Sequence, residues 1–163
     1  MRYRILRVSS LLSVWMLTIV FCFSQAGGAA ATIQSLFQKA RALKNTGEYG
    51  KAIQLYQEIL KQDPENYQAI MELAQVYSWN KEYDRSIEYY NRILGKNSRD
   101  YDALFGKAQV LSWKGEYGGA EDLYIEVIEA VPDYLDAYLG LANVYLWSYR
   151  YDDALDVLKK LEE

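Results

Sequence analysis

From residue 33 onward, apolar side chains return every three or four positions, a short polar turn interrupts them, and the same run resumes. That is a helical period rather than the alternation of a strand. Lys44-Asn45-Thr46-Gly47-Glu48-Tyr49 is one such turn. The spacing predicts paired helices in four copies, 33–66, 67–100, 101–134 and 135–163, repeating every 34 residues without an insertion. Numbered from Ile33 as position 1, position 17 is tyrosine in every copy: Tyr49, Tyr83, Tyr117 and Tyr151. Position 8 is Ala40, Ala74, Ala108 and Ala142, and position 20 is Ala52, Ser86, Ala120 and Ala154. Position 24 is Tyr56, Tyr90 and Tyr124, then Leu158, and position 32 is Pro64, Ser98 and Pro132.

Each of these positions has a mechanical reading. Small residues at positions 8 and 20 let two antiparallel helices approach closely, and the tyrosines of positions 17 and 24 are expected to fill the space between them. Proline at position 32 cannot continue a helix and falls where the second helix of a pair should stop. One pair cannot bury its apolar faces alone, so neighbouring pairs must stack. The expected architecture is therefore all-α, a superhelix of four helix-turn-helix units.

The pattern resembles the tetratricopeptide repeat, and the resemblance covers Ile33 to Glu163. Departures are mild: alanine stands for the family's glycine at position 8, Lys39 and Lys107 for leucine at position 7, and Ser98 for the closing proline. Val76-Tyr77-Ser78-Trp79, Val110-Leu111-Ser112-Trp113 and Val144-Tyr145-Leu146-Trp147 carry a narrower likeness. They are similar to the repeats that precede the barrel in YaiO-type outer-membrane proteins and to periplasmic repeats of exopolysaccharide export systems.

Trp79, Trp113 and Trp147 all occupy position 13. At 100° per residue, positions 2, 5, 9 and 13 share one face of the first helix, and positions 4, 8 and 11 share the opposite one. The second set, Leu36, Ala40, Leu43 and their equivalents, is the expected core. The first set is expected to line a concave groove, where the family resemblance also implies ligand contacts. It comprises Gln68, Met71, Gln75 and Trp79, then Asp102, Phe105, Gln109 and Trp113, then Asp136, Leu139, Asn143 and Trp147. Flat indoles alternating with amides and carboxylates suit an extended peptide or a glycan strand. Equally, each indole could fold over the following turn and cover a neighbouring tyrosine. Three aromatic contacts of ~0.5–1.5 kcal/mol each sum to a few kcal/mol, against about 4 kcal/mol for a millimolar complex, so the tryptophans alone would hold a polymer loosely.

Residues 1–26 read as a separate element. Arg2, Arg4 and Arg7 precede an apolar run from Leu11 to Phe23, and Ser24-Gln25-Ala26 supplies small residues at a cleavage spacing, the layout of a secretory signal peptide. An uncleaved anchor is the alternative, although the run is shorter than the ~20 residues of a spanning helix. Lipid attachment at Cys22 is disfavoured by Phe21, where that signal takes a small residue. Residues 27–32 form a short linker. Without the segment, 15 basic and 22 acidic residues remain, a net charge of −7. Such a body is a poor partner for nucleic acid or anionic membrane, and membrane contact is expected only through an uncleaved segment.

Chemistry is sparse. There is no histidine and the one cysteine lies in the leading segment, which removes most nucleophile–base pairs and zinc sites. No glycine-rich phosphate loop is present. Carboxylate neighbours such as Glu116 with Glu121, Asp152 with Asp153, or Asp102 with Asp136 across the groove have no evident burial to raise a pKa. No catalytic residue, metal or cofactor is expected. The fourth unit stops at position 29 without a helix stop, and Lys159, Lys160, Glu162 and Glu163 read as solvated charges. That edge is expected to meet a partner, a second copy, or a downstream domain beyond this chain. The leading expectation is an exported, periplasmic scaffold for protein–protein interaction in the cell envelope. A glycan-guiding module of an export system is the alternative, and a spacer without a ligand is a third reading.

Overall fold

The computed structural model describes residues 32–161, so the signal segment, the linker before it meets Thr32, and Glu162 and Glu163 lie outside the described residues. Within them the chain forms helices only, in consecutive antiparallel pairs: α1 (32–45) with α2 (Tyr49–Gln62), α3 (Tyr67–Trp79) with α4 (Tyr83–Leu94), α5 (Tyr101–Lys114) with α6 (Tyr117–Ala130), and α7 (Leu135–Trp147) with α8 (Tyr151–Lys159). Each second helix begins on the position-17 tyrosine.

The turn inside each pair is the same. Position 15 takes a left-handed backbone in all four units, at Gly47, Lys81, Gly115 and Tyr149. The next amide reaches back to the position-11 carbonyl: Glu48 to Leu43, Glu82 to Tyr77 and Glu116 to Leu111 at 2.9 Å, and Arg150 to Tyr145 at 2.8 Å. This is the helix-ending motif that glycine suits, because its missing Cβ removes the clash of the left-handed region. Entry into α3 and α5 is fixed by side-chain caps. Asn66 and Asp100 each accept a 3.0 Å bond from the amide three residues on, satisfying a donor that the helix start leaves free. Tyr134 stands at the equivalent position before α7 and makes no cap.

Position 32 behaves as its proline implies. α2 and α6 run to Gln62 and Ala130, two residues short of Pro64 and Pro132, whereas α4, followed by Ser98, stops at Leu94 on Gly95.

Helices α3, α5 and α7 neighbour one another while each also packs against the second helices before and after it. The first helices therefore stand side by side as one layer. Positions 8 and 20 are buried in every unit, and the approach they allow is close enough for the Ser86 hydroxyl to donate to the Ala74 carbonyl at 2.7 Å. Core layers cross the repeat boundaries. Ala69, Leu73 and Tyr77 of α3 cluster with Ala52, Tyr56 and Ile59 of α2, and Ala137, Leu141 and Val144 of α7 with Tyr124 and Val127 of α6. At about 1.5–3 kcal/mol for each large side chain fully buried, stability resides at the joints between units.

The position-24 tyrosines are core as expected, with Tyr56, Tyr90 and Tyr124 buried, whereas Leu158 of the last unit is exposed. Position 17 is not. Tyr49, Tyr83 and Tyr117 are half-buried, and Tyr151 is 60% exposed. The reason is placement: the first residue of a helix projects over the turn, not between helices, and only a following unit can cover it.

Candidate functional site

The layer of first helices presents positions 2, 5, 9 and 13 on one surface, and two hollows open along it. The larger, about 650 Å³, lies between α3 and α5. It is lined by six of the expected residues, Gln68, Met71, Gln75, Asp102, Phe105 and Gln109, together with Lys44, Tyr67, Glu72, Tyr90, Gly106 and Tyr134. The second, about 360 Å³, lies between α5 and α7 and is lined by Phe105, Gln109, Trp113, Asp136, Leu139, Asn143 and Trp147 with Ser112, Tyr124 and Gly140. The structure thus brings the expected row together along one groove. Trp79 is the exception, lining neither hollow.

The indoles combine both arrangements that the sequence allowed. Trp79, Trp113 and Trp147 are 38%, 43% and 45% exposed. Trp79 also leans on Tyr49 of the preceding unit at 5.9 Å between ring centroids, and Trp147 on Tyr117 at 6.3 Å. The Lys44 ammonium sits 5.5 Å from the Trp79 ring centroid. Trp79 and Trp147 thus each meet a position-17 tyrosine while remaining partly exposed.

The floor of the groove depends on position 6, which the sequence reading passed over. Here Gly106 and Gly140 admit the tips of Tyr90 and Tyr124 from the preceding unit, so close that an added Cβ would meet each ring at 2.5 Å. In the second unit the same position is Glu72. Tyr56 donates to it at 2.8 Å, Lys44 at 2.7 Å, and the Arg41 Nε at 2.7 Å. Burial opposes the charge on Glu72, but these three donors outweigh it and hold the carboxyl below the usual range. A glycine in mid-helix, costly to helix formation, was the available sign of a close approach.

Farther along, the groove is acidic and aromatic. Tyr134 donates to Asp102 and Tyr67 to Asp100, both at 3.1 Å. Burial, reinforced by these carboxylates, pushes both phenols up to about 12. The Tyr134 and Phe105 rings are 5.0 Å apart. Gln68, Gln109 and Asn143 line the groove, and their amides bond no side chain among the described residues. The carboxylate neighbours weighed for chemistry are separated in their bonding: Glu116 pairs with Lys114, and Glu121 with Arg150. Among the described residues no group of histidine, cysteine or acids could hold a metal ion, and no helix is long and apolar enough to cross a membrane.

A family model of the tetratricopeptide repeat matches residues 43–110 and 114–163. Among solved structures, a tetratricopeptide repeat protein from Parabacteroides merdae is 24% identical with a TM-score of 0.73, over 79% of this chain and 50% of that one. This chain thus spans about half of that protein. MamA from Desulfovibrio magneticus RS-1 is 17% identical with a TM-score of 0.71, over 80% of this chain and 74% of that one. YrrB, a repeat protein with an unusual peptide-binding site, is 20% identical with a TM-score of 0.66, over 78% and 66%. At these identities the likeness is one of fold. No curated protein matches the sequence.

Proposed function

The chain belongs to the tetratricopeptide repeat family, and from that premise we propose that it is a non-catalytic scaffold that holds a partner protein in the groove of its first helices. The observation that carries this reading is the continuous surface along α3, α5 and α7. Its amides at Gln109 and Asn143 lack partners among the described residues, and its three indoles stay partly exposed while the core beneath is buried. An extended segment would supply backbone donors and acceptors to the amides and apolar side chains to Met71, Phe105 and Leu139. The peptide site of YrrB lends the reading analogy through a shared fold.

The place of action in this proposal is the cell envelope, on the strength of the arginine-led apolar segment at the N-terminus. Gln109→Lys with Asn143→Lys adds bulk and charge to the groove without touching the core. Incubated with an envelope fraction, the double variant is expected to lose proteins that the native chain retains, whereas Asp122→Lys on α6 keeps them. Equal retention by both variants would overturn the proposal.

A second reading follows from the indoles. Their one-per-repeat spacing suits a glycan strand passing along the groove of an export or outer-membrane system, as the YaiO-type likeness implies. Migration retarded by polysaccharide in a native gel, and released by Trp113→Ala, is what that reading requires.

A further inference from the structure

Tyr90 differs from Tyr56, whose hydroxyl donates to Glu72, and from Tyr124, whose ring faces the Ser112 hydroxyl. Tyr90 is only 4% exposed, yet its hydroxyl has no hydrogen-bond partner among the described residues. The ring tip lies beside Gly106, with the hydroxyl 2.6 Å from where a Cβ would stand, and both residues line the larger hollow. No buried side-chain nitrogen or oxygen among the described residues lacks a partner, so this hydroxyl is not sealed in the core but opens to the hollow that Tyr90 lines, where water or a ligand meets it.

The surroundings define what would meet them. Asp102 lines the hollow, Asp100 borders it through Tyr67, and Asp136 lies one repeat beyond Asp102; among the described residues none of the three forms an ion pair. The nearest bases do not cancel them. Lys44 is held by Glu72 at 2.7 Å, and Arg99 lies in the adjoining shallow hollow beside Asp100. Tyr67, Phe105 and Tyr134 line the same space, and aromatic rings attract cations placed over them within ~6 Å of the centroid. Tyr134 gives a further sign. It occupies the position where Asn66 and Asp100 cap their helices, and α7 goes uncapped so that an aromatic ring can stand over Phe105.

We infer that the hollow between α3 and α5 receives a lysine or arginine side chain of the bound protein, its cation facing Asp102 among the rings and meeting the Tyr90 hydroxyl through an N–H. This rests on the protein-scaffold reading and deepens it. A peptide is favoured over an uncharged sugar because acids and apolar residues alternate along the groove, at Asp102 and Asp136 against Met71, Phe105 and Leu139. Adjacent helices stand about 8–10 Å apart and an extended chain advances about 3.3 Å per residue, so every third side chain would meet a new unit.

The test uses octapeptide pools with randomised flanks and a central Lys, Arg, norleucine or Glu, read by fluorescence polarisation against the full chain. The Lys and Arg pools are expected to bind at least about tenfold more tightly than norleucine, equivalent to ~1.4 kcal/mol, with Glu weakest. Asp102→Asn and Tyr90→Phe should each cut that preference, read as the ratio of Lys to norleucine affinity, about threefold or more; circular dichroism checks that both variants fold. Equal binding of Lys and norleucine, or a preference that survives Asp102→Asn, overturns the inference. If all pools bind alike and Gln109→Lys with Asn143→Lys abolishes them, only the inference falls and the scaffold reading stands. If no pool binds, both fall, and binding of a chitosan hexamer in their place would assign the acids to a cationic glycan.

Discussion

Lys81 and Tyr149 hold the left-handed backbone at φ 62° and 63° that Gly47 and Gly115 hold freely. The conformation costs a side-chain-bearing residue ~1–2 kcal/mol, partly offset because glycine gains more freedom in the unfolded chain. Lys81→Gly is therefore expected to stabilise the protein by about 0.5–1 kcal/mol, seen as a higher denaturation midpoint; a lower midpoint would refute the strain. Gly106→Ala acts in the opposite direction. Its methyl would run into the buried Tyr90 ring, costing about 1–3 kcal/mol as overpacking, and Tyr90→Leu in the same chain should recover part of the loss. Glu72 adds a pH dependence. Its folded pKa is depressed below 4.5, so the folded state binds this proton less readily than the unfolded one. The stabilisation is complete above the unfolded value and lost as pH falls through the folded one. Glu72→Gln should flatten the loss of melting temperature below about pH 4.5; an unchanged acid profile would assign that loss to other groups. These residues show the limit of reading the chain directly. The period places Glu72, Gly106 and Gly140 in one register, but that a ring enters at two of them and a carboxylate receives three donors at the third depends on the preceding unit's side chains.

Among the elements, α3 and α5 are set by Asn66 and Asp100, whereas α7 has Tyr134 in that place. Asn66→Ala is expected to cost about 1 kcal/mol of stability, measured by chemical denaturation, while Tyr134→Ala loses no cap and only its contact with Phe105 and Asp102. An equal effect of both through hydrogen exchange at the first turns of α3 and α7 would contradict the assignment. The helices themselves were legible from apolar spacing, and their ends from Pro64 and Pro132. The fate of position 17 was not. Period alone cannot distinguish a ring between two helices from one at a helix start, where Tyr49 and Tyr117 await the next unit's indole and Tyr151 stays exposed.

For the whole molecule, what matters is the division of labour between faces. Positions 8, 20 and 24 close the joints between units, and positions 2, 5, 9 and 13 line the groove, so recognition can change with little effect on folding. The face was legible in the sequence because helical geometry converts a 34-residue period into a row. The hollows were not, since Tyr67, Tyr90 and Tyr134 reach the groove from a helix start, a second helix and a turn, which no single-helix periodicity connects. Photocrosslinking tests the division most directly. A benzophenone side chain is placed in turn at Gln75, Gln109 and Asn143 in the groove, and at Gln54, Glu88 and Asp122, exposed on the second helices. The account predicts that one protein is captured from all three groove positions and from none of the outer ones. Capture from the outer helices, with the groove silent, would contradict it.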